Sequence, residues 1–434
     1  MNAQPIEERP GRAGLWRNHD FLKLWAGETV SLFGSQVTEL ALPLVAIYTL
    51  TANARQLGML NAARFAPFLL VTLVAGALVD RHRRRPVLIG SNLGRALLIG
   101  SIPMLAAAHW LRMPHLYMLA FAVGIFTVFF DVAYLAYLPS LVDRKALLQG
   151  NTNLQASASA SQVGGPGLGG LLVQLLGAPA ALLADAASYL VSVAALSSIR
   201  TAEPQPPAAT AQAGVWQRLR REIGQGLQLT FTSPLLRPMA GLAATYNLFE
   251  QAIITLFMLY ATRQLGLSAG LLGLVLSCGA AGALLGSVAA GPAGRRLGIG
   301  QAFLGGVVVE CAAMLLVPAV HGPLSVIVPL LAAAFTLNGV GLGMTNVYAI
   351  SIRQTSAPDQ LLGRVNASYR FLSFGTIPLG ALLGGFLGQT VGLRPALAIA
   401  ALALLSTVLW LLLSPIPRLS ALPSPTRGTS GRRR

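Results

Sequence analysis

Of 434 residues, 54% are apolar and only 10% are Asp, Glu, Lys or Arg. Soluble domains carry about a quarter of their residues as charges, so the composition excludes a water-soluble enzyme, and its apolar content excludes a disordered chain. The net charge of +17, from 31 Lys and Arg against 14 Asp and Glu, fits nucleic-acid binding or a membrane protein with basic loops, and the placement of the charges separates the two.

Residues 1–20 are polar and lead directly into a full-length apolar run, which predicts a retained first helix rather than a cleaved signal peptide. Apolar runs then follow at 21–50, 57–79, 87–109, 114–141, 153–176 and 179–199. After a Pro- and Ala-rich stretch, six more occupy 238–261, 269–293, 299–320, 323–352, 364–391 and 395–413. Each is near or above the roughly 20 residues that a helix needs to cross a bilayer core. None alternates as barrel strands do. The expected fold is an all-α membrane protein of twelve transmembrane helices in two six-helix pseudo-repeats, 21–199 and 238–414. The segment 200–237 reads as a linker, with a short basic surface helix near 216–228, and 415–434 as a basic disordered tail.

If the helices alternate, almost every basic residue falls on one side. The connections at 81–85, 144–145, 200–237, 295–296 and 353–364 carry them, as do both termini, whereas Arg55, Arg112, Arg263 and Arg394 are alone on the other side. This positive-inside pattern places both termini in the cytoplasm of a cell whose inner (plasma) membrane holds the chain. Spreading over seven segments argues against a nucleic-acid partner.

The halves repeat at one nearly constant offset, close to half the chain. Lys23 to Gly27 matches Arg237 to Gly241, Gly76 matches Gly291, Leu147-Leu148 matches Leu361-Leu362, and Gly169-Gly170 matches Gly384-Gly385. Four matches in order indicate a duplication, and a parallel six-plus-six repeat with its site between the halves is a transporter architecture.

The joint between the second and third spans carries Gly76, Leu78, Asp80, Arg81, Arg84 and Arg85. This pattern resembles the major facilitator superfamily signature G-x-L-a-D-r-x-G-r-k, with Arg83 where the family has an internal glycine. A left-handed turn there would be strained by Arg. The resemblance implies that Asp80 latches the start of the eleventh span near Gly363 and Arg364, a cytoplasmic gate favoured by the helix N-terminus and the arginine. Gly165, Pro166, Gly169 and Gly170 in the fifth span resemble the G-P-x-x-G-G motif of exporting branches; small residues let helices approach closely and proline kinks them. Residues 131–142, Ala41 to Leu44 and Gly363 to Arg370 resemble the macrolide-efflux and enterobactin-exporter branch. The resemblance implies proton-coupled export of a small amphipathic, drug- or siderophore-like molecule by a monomer.

Six acids fall inside predicted spans: Glu28, Glu39, Asp131, Asp185, Glu250 and Glu310. Each costs roughly 2.5–3.5 kcal/mol to insert at mid-membrane and therefore needs a reason. Glu39 and Glu250 sit near the middle of spans one and seven, which line the cavity in the family, and are the first candidates for proton coupling or substrate contact. Asp131 is a further candidate, with Arg95 a partner to test; Arg64 and Arg370 are other intramembrane cations. Glu28 and Asp185 lie nearer the ends of their spans. Gln36, Asn247 and Arg370 complete the expected cavity set. Cys278 and Cys311 lie in apolar runs and read as small buried hydrophobes. No G-K-[ST] loop, metal-ligand histidine spacing or catalytic elbow occurs, so neither cofactor, metal site nor enzymatic activity is expected. An importer or lipid flippase of the same fold, or a non-transporting receptor, stays open at this point, since fold does not give function.

Overall fold

The computed structural model of the chain describes residues 13–16, 18–79, 81–142, 146–201, 203, 215–356 and 361–421. Among them there is no strand. The helices of the first half are α1 (His19–Leu44, continued by a π turn Val45–Thr49), α2 (Ala54–Leu70, then Thr72–Val79), α3 (Arg84–Ala107), α4 (Met113–Leu141), α5 (Leu147–Leu176) and α6 (Ala178–Ser197). Those of the second are α7 (Leu236–Arg263), α8 (Ala269–Leu297), α9 (Ile299–Ala313, then Leu316–Ala319), α10 (Leu324–Ser356), α11 (Leu362–Thr390) and α12 (Leu393–Leu404, then Ser406–Leu412). A further helix, Val215–Thr232, lies on the connection between the halves.

Ten of these helices are long and apolar enough to cross a membrane. The two that are not have separate physical causes. α2 breaks at Val71, so neither piece spans alone. α5 has 30 residues, but its first half carries Gln149, Asn151, Asn153, Gln155 and four serines or threonines, followed by Gln162. The outside of the bundle is apolar: Leu97, Met104, Met118, Leu175, Val288 and Phe386 are each more than 60% exposed. A surface of this kind has no stable place in water and fits lipid.

Helix ends are fixed by polar caps. Asn18 accepts hydrogen bonds from the Asp20 and Phe21 amides at the start of α1, and its Nδ2 donates to the Leu141 carbonyl. Asn53 and Gln56 form a reciprocal capping box at α2. Ser268, at the place in the second half equivalent to Asn53, caps α8. α5 and α6 are separated by the single residue Gly177 at φ 84°, and α11 and α12 by a turn ending in Gly392 at φ 87°. Both need the left-handed backbone that glycine adopts freely.

Within each half the same pairs pack: α1 against α5 and α6, and α7 against α11 and α12. Between halves the most extensive contacts are α2 with α11 and α5 with α8, and α2 also touches α7. Each of the two extensive contacts rests on glycine. A Cβ on Gly58 would lie 2.5 Å from the Ala381 carbonyl oxygen and 3.0 Å from the Gly385 Cα. A Cβ on Gly273 would lie 2.2 Å from the Pro166 carbonyl oxygen and 3.1 Å from the Gly170 Cα. Gly58 and Gly273 are equivalent positions of the repeat, as are Gly170 and Gly385, so duplication has produced one backbone contact twice. Both contacts lie near the starts of α2 and α8 and the ends of α5 and α11, at the end of the bundle away from the basic connections.

Candidate cavity between the two halves

A cavity of about 540 Å3 lies between the halves. α1 contributes Gln36 and Glu39, α2 Asn61 and Arg64, α5 Gln162 and Pro166, α7 Glu250 and Gln251, and α10 Phe335 and Asn338. Its volume suits a drug-sized ligand, and a mostly apolar wall with a few polar groups is what such ligands need. A wider groove of about 1170 Å3 opens among α1, α4, α5 and α8, lined by Glu28, Tyr134, Asn151, Gln155, Ser159 and Leu284 among others.

The structure therefore brings Gln36, Glu39, Pro166 and Glu250 to one space. Glu39 is half exposed to it and ion-paired with Arg64, whose guanidinium lies 5.3 Å from the Phe65 ring centroid. Glu250 has no ion pair among the described residues; its Oε2 is buried there without a hydrogen-bond partner. Asn61 donates to Thr255 Oγ1 at 3.0 Å, tying α2 to α7 beneath the cavity.

Other expected members lie elsewhere. Asn247 Nδ2 donates to the carbonyl and hydroxyl of Ser373 at 2.9 and 2.6 Å, so it joins α7 to α11 rather than lining the cavity. Arg370 borders a separate pocket of about 200 Å3 between α2 and α11, beside Phe68, Phe371 and Phe374. Asp131 is exposed on α4 and lines neither the cavity nor the groove. It makes no direct ion pair with Arg95, whose charge acts on it from beyond contact.

In the second-to-third joint, Asp80 lies outside the described residues, so the proposed latch on α11 has no observed geometry. Gly76 sits in open space and Arg81 is exposed. Arg83 is extended at φ −63°, ψ 133°, so the absence of glycine causes no strain there. The remaining arginines have these described partners. Glu203 accepts from the Arg84 and Arg85 amides at 2.7 and 3.1 Å and pairs with the Arg84 guanidinium at 3.5 Å. Arg85 donates to the Leu196 and Ser197 carbonyls at the end of α6. Arg364 Nη1 donates to Gln225 of the connecting helix Val215–Thr232. Glu203 is thus the N-terminal anchor of α3, and its replacement by Ala is expected to cost about 1 kcal/mol, measurable as a lowered melting temperature in detergent.

The fifth-span motif divides its glycines by face. Gly165 and Gly169 meet Gln36 and Val37 of α1, whereas Gly170 meets α8. Pro166 removes one helical donor, and the Gly167 amide donates to Ser277 Oγ of α8 at 2.9 Å. The motif is thereby both the inner packing of the first half and half of the joint to the second.

The sequence offers Arg95 as a partner for Asp131, but not the polar centre that Arg95 makes in the first half. Arg95 is 4% exposed and lies between the rings of Phe130 and Tyr189, 4.3 and 4.4 Å from their centroids. It donates to Asn92, and Asn92 donates to Ser192 Oγ at 2.8 Å. Glu28, Asp131 and Asp185 all lie within its field. Asp185, near the end of its span, is enclosed by the bundle. It is fully buried and accepts from Thr38 and Ser188.

The profile of the family described as transmembrane secretion effector matches residues 13–428. The multidrug efflux pump Tap of Mycolicibacterium fortuitum is 28% identical over 369 residues, covering 83% of this chain and 87% of that protein. Macrolide efflux protein A of Streptococcus pyogenes is 27% identical over 182 residues, 42% of this chain and 44% of that one. A bacterial homologue of the iron transporter ferroportin, solved in an inward-facing state, superposes with a TM-score of 0.70 at 18% identity over 91% of this chain and 98% of its own, a likeness of fold. The chain is a multi-pass membrane protein that belongs to the transmembrane secretion effector family of major facilitator transporters.

Proposed function

We propose that the protein is a secondary transporter that exports a small amphipathic molecule from the cytoplasm across the plasma membrane, in exchange for protons, by alternating access. The observation that carries the reading is the cavity of about 540 Å3 between the duplicated halves, with Glu39 and Glu250 brought to it from the paired helices α1 and α7. Near-full-length similarity to a multidrug efflux pump supports the direction and cargo class. The excess of arginine on the α2–α3, α6–α7, α8–α9 and α10–α11 connections supports cytoplasmic termini. In this reading the glycine contacts close the outer end, and a half rocks about them to expose the cavity to either side. Glu39, ion-paired with Arg64, orients cargo, while Glu250, without a cation among the described residues, exchanges a proton against it.

The test is a flux assay in sealed proteoliposomes with ethidium and erythromycin as probes and an imposed pH difference. Uptake into inside-out vesicles driven by an acidic lumen is the expected result. Glu250→Gln is expected to lower the pH-driven component at least about tenfold, which corresponds to roughly 1.4 kcal/mol of lost coupling. Glu39→Gln is expected to weaken ethidium transport more than erythromycin at saturating pH difference. An unchanged pH dependence in both variants would count against the coupling role.

A further inference from the structure

The two halves treat buried charge in opposite ways. In the first, Arg95 on α3 sits among acids. The duplication relates α3 to α9, which start at the equivalent residues Arg84 and Ile299. The same offset carries Arg95 onto Glu310. Both side chains are deeply buried, at 4% and 1% exposure. The repeat has kept a charged site and reversed its sign.

The surroundings of Glu310 contain no compensating cation among the described residues. From α7, Tyr246 and Glu250 face it; from α10, Thr345; and the Tyr369 phenol of α11 lies within its field. Its neighbour Cys311 faces Thr407 of α12. Arg353 is engaged elsewhere, 3.8 Å over the Tyr369 ring. Asn338 Nδ2 donates to the Glu310 carbonyl at 3.0 Å and to the Tyr246 hydroxyl at 3.3 Å, locking α7, α9 and α10 around the two acids. Glu250 Oε2, Glu310 Oε2 and Thr345 Oγ1 are all buried without a hydrogen-bond partner among the described residues. Two like charges cannot both persist in such a place. Glu250 borders the cavity and Glu310 lies behind it.

We infer that Glu310, Glu250 and the Tyr246 hydroxyl between them form a proton-binding site confined to the second half, in which Glu250 is the port to the cavity and Glu310 holds the proton out of reach of cargo. The inference rests on the export reading only for its use in coupling; the site itself does not depend on it. A cationic cargo at Glu250 favours its ionised form, and the pair then retains a single proton on Glu310. Release of cargo towards the outside and entry of a proton restore the doubly neutral pair.

Dicyclohexylcarbodiimide, which adds to protonated carboxyls in apolar surroundings, tests the site directly. The full-length protein in detergent is treated between pH 5 and 9, and peptides are read by mass spectrometry. Adducts on Glu310 and Glu250 are expected to persist at pH 8 at about tenfold or more the level on the arginine-paired Glu39. Glu250→Gln is expected to weaken the pH-8 labelling of Glu310, because the like charge is gone. Labelling of neither acid at pH 8, or labelling suppressed by added sodium ions at constant pH, overturns the inference, the second result reassigning the site to sodium. In proteoliposomes, Glu310→Gln is expected to lower pH-driven ethidium flux about tenfold and Glu310→Asp to restore part of it; flux in Glu310→Gln equal to the parent overturns the coupling role. If the parent moves no ethidium or erythromycin while the labelling pattern holds, the export reading fails and the proton site stands.

Discussion

Replacing Arg95 by Met is expected to remove about 3–5 kcal/mol of stability, the range seen when one partner of a buried ionic cluster is deleted. The cause is not the loss of one hydrogen bond to Asn92. Methionine fills much of the space between the Phe130 and Tyr189 rings, but it leaves Glu28 and Asp185, 8% and 0% exposed, without their cation. A melting curve of the purified protein in detergent measures the loss. The decisive control is the double variant Arg95→Met/Asp185→Asn. If charge imbalance is the cause, the second change restores a substantial part of the stability, a coupling between the two charged sites. If the double variant is less stable than Arg95→Met alone by the full cost of Asp185→Asn, packing rather than charge explains Arg95.

The second large effect concerns the joint between halves. Gly58→Ala places a methyl group 2.5 Å from a backbone oxygen that cannot rotate away. The α2 and α11 backbones must separate, an overpacking cost of about 1–3 kcal/mol. Gly273→Ala, its counterpart at 2.2 Å from the Pro166 carbonyl, is expected to do the same between α5 and α8. Each is expected to reduce ethidium flux in proteoliposomes at least about tenfold, because the halves no longer close at that end. Gly90→Ala on α3, where nothing lies within 4 Å, is the matched control and is expected to leave flux unchanged while gaining slightly in helix propensity. Equal flux in Gly58→Ala and Gly90→Ala would show that the close approach is dispensable.

The gross architecture was legible because it depends on quantities a sequence carries directly: run length, apolar content and the side on which arginines fall. The duplication was legible too, and it gave the paired glycines their meaning once Gly58 met Gly385 and Gly170 met Gly273. The polar contacts were harder. A helix that is apolar all round shows no stripe from which to read its rotation. Nothing in α7 says that Asn247 turns to Ser373 while Glu250 turns to the cavity. The partners of Asp185 and Glu203 are 147 and 119 residues away in sequence, set by which helices become neighbours. One signal was present and unused: applying the repeat offset to Arg95 leads straight to Glu310. The motif arginines illustrate the opposite case. Their pattern marks the family, yet Arg84 and Arg85 secure the first half to itself through Glu203 and the end of α6, while Asp80 falls outside the described residues.

The two helices that lack the length or greasiness to cross a bilayer on their own, α2 and α5, are the same two through which the first half touches the second. This has a bearing on biogenesis. A segment as polar as the opening turns of α5 partitions poorly from an insertion channel into lipid, so it settles only against companions that cover its amides and hydroxyls. α8, which packs on the later turns of α5, is translated well after α5 has left the ribosome, with α6, the connection and α7 made in between. The amino-terminal six helices made alone are therefore expected to leave α5 incompletely integrated and open to protease, and synthesis of the later helices completes the earlier ones.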